Sequence, residues 1–399
     1  MTTPHLASSR KGYGALLLNL LFSTVADGIL FIAIPYWIYV KTGSATLTGA
    51  AFIAEAAPRL ILTALGGALA DQFSKRSILF SSTVLRIAVL LGLYLAVVNE
   101  NVMASYVAIL AMGALTSLAR PVALAAVPSL VQRESLPQAN GQLNAVFSLA
   151  QVLSPFVGSL MVPFISVEGV VLLALGLLVL ALISLRALPE LASSTERQSF
   201  NVLASLLEGL QQATGSRVAL GVLAATLLLW AGHGVLVTVA IPFLDALAIA
   251  TPDDFGYVVA AVGVGMLLGG AGMRYVSPER LTAAMVLGLV IAGGSLFLAA
   301  FAPTKILLLL DFAATGLGTS LAVSAGLALM QLESAHEAHG RTMAALNVVS
   351  EGARLLGIVA GPAVLAVVRP PYALGSAGGV MLLGALLGLL FLSREFTKR

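Results

Sequence analysis

Twelve long apolar stretches, broken only by short polar punctuation, constrain this chain more than any other feature. They cover residues 13–40, 46–69, 78–98, 103–131, 141–166, 169–187, 218–244, 254–274, 281–301, 304–330, 342–368 and 372–393. A helix needs about 20 apolar residues to cross a bilayer. Only a segment that satisfies its own backbone hydrogen bonds survives there. Hydrophobic residues make up 59% of the 399 and charged residues 10%, where a soluble domain holds about 45–50% and about 25%. Mean hydropathy is +1.01. No water-soluble fold of this size hides so much apolar surface, so a soluble enzyme is excluded, and so is a disordered chain. The sequence predicts an all-α membrane protein with twelve transmembrane helices.

The longest polar stretch, 188–217, divides the spans into two sets of six. Within it Phe200, Leu203, Leu206, Leu207 and Leu210 recur at helical spacing, which reads as a short amphipathic helix lying on the membrane surface. A plain linker with a few apolar residues is the alternative. The organisation is therefore 1–187, a six-helix half; 188–217, a cytoplasmic linker; and 218–399, a second half. The halves resemble each other. LVQRESLPQANGQ (Leu130–Gln142) and LMQLESAHEAHGR (Leu329–Arg341) match at six of thirteen positions. Asp27-Gly28 with Ile34-Pro35 parallels His233-Gly234 with Ile241-Pro242. A six-plus-six duplication is the pattern of transporters whose halves rock about a central site.

Lysine and arginine set the orientation. With the N-terminus cytoplasmic, inner segments carry 14 of the 21, outer loops carry Lys41, Lys305 and Arg369, and four lie within spans. Both termini are expected inside, in the inner (plasma) membrane, and no cleaved signal peptide is expected. The net charge of +3 gives no reason to expect a nucleic-acid partner. The absence of cysteine removes disulfides, thiolate zinc sites and cysteine nucleophiles. No GxxxxGK[ST] phosphate loop occurs, and His336 and His339 stand in HEAH rather than HExxH. No enzyme activity, cofactor or metal is expected.

The loop after the second span reads GGALADQFSKR, Gly66 to Arg76. It resembles the signature loop of the major facilitator superfamily, with Gly67, Asp71, Lys75 and Arg76 in the diagnostic places and Ser74 where a glycine is usual. The second-half equivalent, GGAGMRYVSPER, carries Arg274 in place of the acid. Asp27-Gly28, the TGS at Thr42–Ser44, Pro58, Arg86 and PSLVQRESLPQANGQ together resemble the drug–proton antiporter branch that includes macrolide efflux pumps and the enterobactin exporter. The resemblance covers nearly the whole chain. It implies the major facilitator fold, and that Gly67, Asp71, Lys75 and Arg76 latch the halves when the cavity opens outward. Gly357-Ile-Val-Ala-Gly361-Pro362 is similar to the antiporter motif that the family carries on its fifth span. Ordinary helix packing explains those small residues equally well.

Charges inside spans are the candidates for function, because an ionised group near mid-bilayer costs about 2.5–3.5 kcal/mol on insertion scales and needs a cavity or a partner. Asp27, near the middle of span one, is the first proton-coupling candidate. Glu351, Asp311, Glu55 and Arg120 follow; the family resemblance implies a proton-transfer role for Arg120, with snorkelling as the alternative. Glu55 and Arg59 share a helix face, as do Glu351 and Arg354, so either pair could be a self-neutralising device that eases insertion. Arg86 reads as a partner for acids on neighbouring helices. Phe22, Phe31, Tyr36, Trp37, Trp230 and His233 are candidate substrate-cavity contacts, or packing and interface residues.

Together these readings predict a monomeric secondary transporter that exports amphipathic or hydrophobic small molecules in exchange for protons. The rivals are export of a siderophore or lysophospholipid, import of a nutrient, and a non-transporting membrane receptor or assembly partner.

Overall fold

The computed structural model describes residues 4–132, 135–190, 215–333 and 339–396. They are almost wholly helical: α1 (Pro4–Thr42), α2 (Ala45–Gln72), α3 (Lys75–Val98) and α4 (Val102–Ala126) come first. A helical stretch, Leu136–Ser184, is broken where Ser166 turns to φ 58, ψ 171. Its arms, 136–165 and 167–184, are α5 and α6. There follow α7 (Arg217–Asp245), α8 (Phe255–Gly272), α9 (Leu281–Ala299), α10 (Lys305–Glu333), α11 (His339–Leu365) and α12 (Pro370–Phe396). The expected surface helix in 188–217 falls almost entirely outside the described residues.

Ten stretches among the described residues are long and apolar enough to cross a membrane. Their outward side chains are apolar too. Leu85, Leu91 and Leu95 on α3, Val107 and Leu110 on α4, and Leu268, Leu287 and Leu298 in the second half of the chain are all exposed. So much apolar surface is an association hazard in water, whereas lipid tails solvate it.

The chain forms two units: Met1–Thr42 with Ala51–Ser199, and Gly43–Ala50 with Phe200–Arg399. In the first, α1 lies along the α5–α6 pair, and α3 packs on α4. The helices touch closely where a glycine allows it. A methyl at Gly113 on α4 would strike the Glu55 carbonyl of α2, and one at Gly158 on α5 would come within 2.6 Å of the Ile29 Cα. Polar ties cross between helices: Asn19 donates to the Ala181 carbonyl at 3.1 Å and Ser82 to the Leu115 carbonyl at 3.1 Å.

In the second unit α10 packs on α8 and α9, α12 on α7 and α9, and α11 on α7. Backbone-to-backbone approach at small residues does most of the joining, as in membrane bundles generally. Gly265 lies against the Ala313 carbonyl, Gly234 against the Arg354 carbonyl and Gly357 against the Ala231 carbonyl. Gly361 lies against Thr238. The Gly357–Gly361 pair thus forms the seam between α11 and α7.

Candidate functional site

Two apolar clusters occupy the first unit at different heights. One is built from Ile29, Ile34, Leu90, Leu93, Ile109, Val170 and their neighbours. The other is built from Leu16, Leu20, Leu79, Val122, Leu143, Leu185 and theirs. Where these clusters meet, α1, α3 and α4 each carry polar residues among apolar ones: Ser23, Thr24 and Asp27; Ser82, Thr83 and Arg86; Thr116 and Ser117. Such positions are where ionised groups inside a membrane bundle must meet each other.

They do meet. The Arg86 guanidinium donates through Nη2 to Asp27 Oδ1, and lies 3.5 Å from the Ser23 carbonyl. Thr116 Oγ1 lies 3.3 Å from Asp27 Oδ2, to which it donates. The two charges differ in access: the Arg86 side chain is 1% exposed and that of Asp27 16%. The carboxylate is therefore the member of the pair that anything entering from outside would touch. It borders a cavity of about 40 Å³, lined also by Phe31, Phe52, Glu55, Met112, Gly113 and Thr116. That volume has room for water, since one water needs about 10–15 Å³ measured this way. Phe31 and Phe52 meet at 5.1 Å between ring centroids on its apolar side.

The sequence-predicted residues divide as follows. Asp27, Glu55 and Phe31 come together at this cavity, and Arg86 stands directly behind it. Trp37, a candidate cavity contact or packing residue, is buried in the first of these apolar clusters, and Tyr36 packs partly against it. Phe22 is half-buried on α1 and does not line the cavity. The side chains of Arg59, Gly67, Asp71 and Arg120 lie outside the described residues. Lys75 is buried at the start of α3 and Arg76 half-buried beside it.

In the second unit Glu351 Oε2 accepts from Arg354 at 3.0 Å (Nε) and 2.7 Å (Nη2). The arginine side chain is 10% exposed and the glutamate 52%. His233, at the position matching Asp27, sits edge-on to Trp230, with ring centroids 5.3 Å apart. Its buried Nδ1 has no hydrogen-bond partner among the described residues. Asp311 is half-buried on α10, where its backbone carbonyl accepts from Thr315 at 2.9 Å.

Sequence reasoning missed Thr116. The available signal was depth: it is the hydroxyl residue on α4 at the height of Asp27 and Arg86. Two lysines near helix ends, Lys41 and Lys305, also find acids, Glu100 and Asp254. No group of three or more metal-ligating side chains occurs among the described residues.

Comparison with known proteins supplies what geometry alone does not. The enterobactin exporter EntS of Shigella boydii is 28% identical over 270 residues, 66% of this chain and 63% of the exporter. The chain thus matches less than two thirds of that relative's length. The multidrug efflux pump Tap of Mycolicibacterium fortuitum is 25% identical over 369 residues, 88% of this chain and 89% of the pump. Among solved structures, the POT family transporter PepTSo superimposes with a TM-score of 0.72 at 12% identity, covering 98% of this chain and 99% of that one. A bacterial homologue of the lysosomal transporter Spinster gives 0.70 at 12%, covering 100% and 97%. At such identities these two show the fold alone. The Major Facilitator Superfamily family model matches residues 16–351. With ten stretches among the described residues long and apolar enough to cross a membrane, and a family model that spans most of its length, the chain belongs to the major facilitator superfamily, a family of transporters.

Proposed function

We propose that this transporter exports amphipathic or hydrophobic small molecules in exchange for protons. It does so as twelve spanning helices in two six-helix halves, 1–187 and 218–399, joined by the 188–217 linker. Both termini face the cytoplasm of the inner (plasma) membrane. Substrate enters between the halves, and protonation of Asp27 biases the alternation between inward-open and outward-open states. Glu351, Asp311 and Glu55 are the further acids available for coupling. Gly67, Asp71, Lys75 and Arg76 latch the halves in one state.

The observation that carries this reading is Asp27 itself. It is a mid-span carboxylate at the mouth of a water-sized cavity, with an arginine and a hydroxyl holding its two oxygens. Intramembrane acids in such settings mark ion and proton pathways. The similarity to a multidrug efflux pump over 88% of the chain supports the outward direction and the drug-like cargo. A siderophore is the second reading for the cargo, favoured by the likeness to an enterobactin exporter.

Energised inside-out vesicles give the test. Adding a macrolide, a tetracycline or a lipophilic dye is expected to release protons from vesicles carrying the parent chain and not from those carrying folded Asp27→Asn. Release that survives the substitution moves coupling to Glu351, Asp311 or Glu55. No release with any compound removes the antiport reading.

A further inference from the structure

The charge of Asp27 is already answered from within the protein. Arg86 reaches it from α3, is 1% exposed, and among the described residues has the Asp27 carboxylate and the Ser23 carbonyl as its acceptors. A guanidinium keeps its charge under all ordinary conditions. It is buried, with residues of both apolar clusters flanking it on its own helix. In this conformation the ion pair is a neutral unit whose carboxylate edge borders the cavity.

What such an edge recognises differs from what a bare carboxylate recognises. A carboxylate has about four lone-pair directions. Arg86 and Thr116 take one on each oxygen, so acceptor capacity remains. A substrate cation arriving here must shed its water and gains little net charge attraction, since the nearest positive charge is already in place. A neutral group with an N–H or O–H loses far less on desolvation and still finds an acceptor. Phe31, Phe52 and Met112 supply the apolar contact beside it. Glu55 borders the same cavity and is engaged in an interaction of its own.

We infer that Arg86 is a specificity-determining residue: by neutralising Asp27 from behind, it makes the cavity of the first unit a subsite for uncharged hydrogen-bond-donating ends of amphipathic substrates and turns it away from cations. This rests on the transport reading above for its biological meaning, but not for its measurement.

The test is equilibrium binding to purified protein in nanodiscs, with no gradient. Three amphiphiles share one aromatic tail and end in a primary carboxamide, a quaternary ammonium or a carboxylate. The parent protein is expected to prefer the carboxamide to the ammonium by about ten-fold. Arg86→Gln should cut that preference about ten-fold, Arg86→Lys should keep it, and Asp27→Asn with Arg86→Gln should restore it. If Arg86→Gln does not fold, Asp27→Asn alone gives the converse reading, with binding of the carboxylate probe raised about ten-fold by the unanswered guanidinium. Preference of the parent for the ammonium overturns the inference, and loss of that preference in Glu55→Gln would then assign charge selection to Glu55. A ratio unmoved by Arg86→Gln, an unchanged carboxylate affinity in Asp27→Asn, or binding of none of the three probes overturns it too. Proton release in vesicles fails or succeeds separately, so the two readings fall independently.

Discussion

Asp27 and Arg86 come together from helices 59 positions apart in sequence, whereas Glu351 and Arg354 stand three apart on one helix. Each unit thus holds an arginine with an acid, but the two pairs do different work. The first ties α1 to α3 and has its arginine buried. The second satisfies its arginine locally and leaves its glutamate half exposed. Close backbone approach at glycines joins helices in both units, at Gly113 and Gly158 in the first and at Gly234, Gly265 and Gly357 in the second. A long-range pair makes chemistry depend on how helices pack; a local pair leaves packing and chemistry separable.

The largest effect should therefore come from breaking the long-range pair. Asp27→Ala leaves a guanidinium that is 1% exposed without its counter-ion, and removing one partner of a buried pair costs about 3–5 kcal/mol. Glu351→Ala breaks an i,i+3 pair whose glutamate is 52% exposed and whose arginine is 10% exposed. It should cost less than Asp27→Ala, because its glutamate side is open, but more than the roughly 0.2–0.5 kcal/mol of a pair wholly on a helix surface. Thermal unfolding of the purified variants in one detergent checks the ranking. Equal losses would show that the two pairs are energetically alike. Asp27→Asn keeps an acceptor for Arg86, which makes it the better variant for transport work.

Glycine seams come next in size, and they test packing apart from charge. Gly265→Ala drives a methyl into the Ala313 carbonyl, and Gly357→Ala drives one into the Ala231 carbonyl. Overpacking of this kind costs about 1–3 kcal/mol. Gly92→Ala on α3 meets nothing within 4 Å. It should be neutral or slightly stabilising, because alanine is the better helix former by about 1 kcal/mol. The same melting series reads both. A Gly92→Ala loss as large as that at Gly265 would mean that helix flexibility, rather than contact, decides these sites.

The helices themselves were legible because unbroken apolar runs of this length admit few other structures. The Glu351–Arg354 pair was legible too, since helical spacing alone puts those residues on one face. The partner of Asp27 was not. Arg86 read only as a partner for some acid on another helix, because nothing local to α3 says which helix it meets. The choice between cavity and packing for Trp37 was not legible for a related reason. In a stretch apolar on all sides, periodicity does not distinguish the face toward the cavity from the face toward the core. Ser166 is the converse case, a break whose place the polar punctuation between spans five and six marked to within a few residues. Arg59, Asp71 and Arg120 keep their sequence-based expectations.

The smallest effects concern the lysine ion pairs near helix ends, again one in each unit. Lys305 donates to Asp254 Oδ1, while Oδ2 of the same aspartate accepts from the Thr251 N–H at 3.0 Å and so caps the turn before α8. Lys41 meets Glu100 at 2.5 Å, with the glutamate side chain 64% exposed. Glu100 also carries the left-handed turn that ends α3, with φ 56. There the N–H of Asn101 bonds the Ala96 carbonyl at 2.8 Å and that of Glu100 the Val97 carbonyl at 3.1 Å, an arrangement that favours glycine. An L-residue in that conformation costs about 1–2 kcal/mol, and an exposed ion pair returns about 0–1 kcal/mol. Glu100→Gly should therefore leave stability unchanged or raise it by up to about 1 kcal/mol, despite losing the pair. Asp254→Gly should lower it, because a cap and an ion pair go together without relief of strain. A melting temperature that falls as far for Glu100→Gly as for Asp254→Gly would show that the Lys41 pair outweighs the backbone, and that the two lysine pairs are equivalent after all.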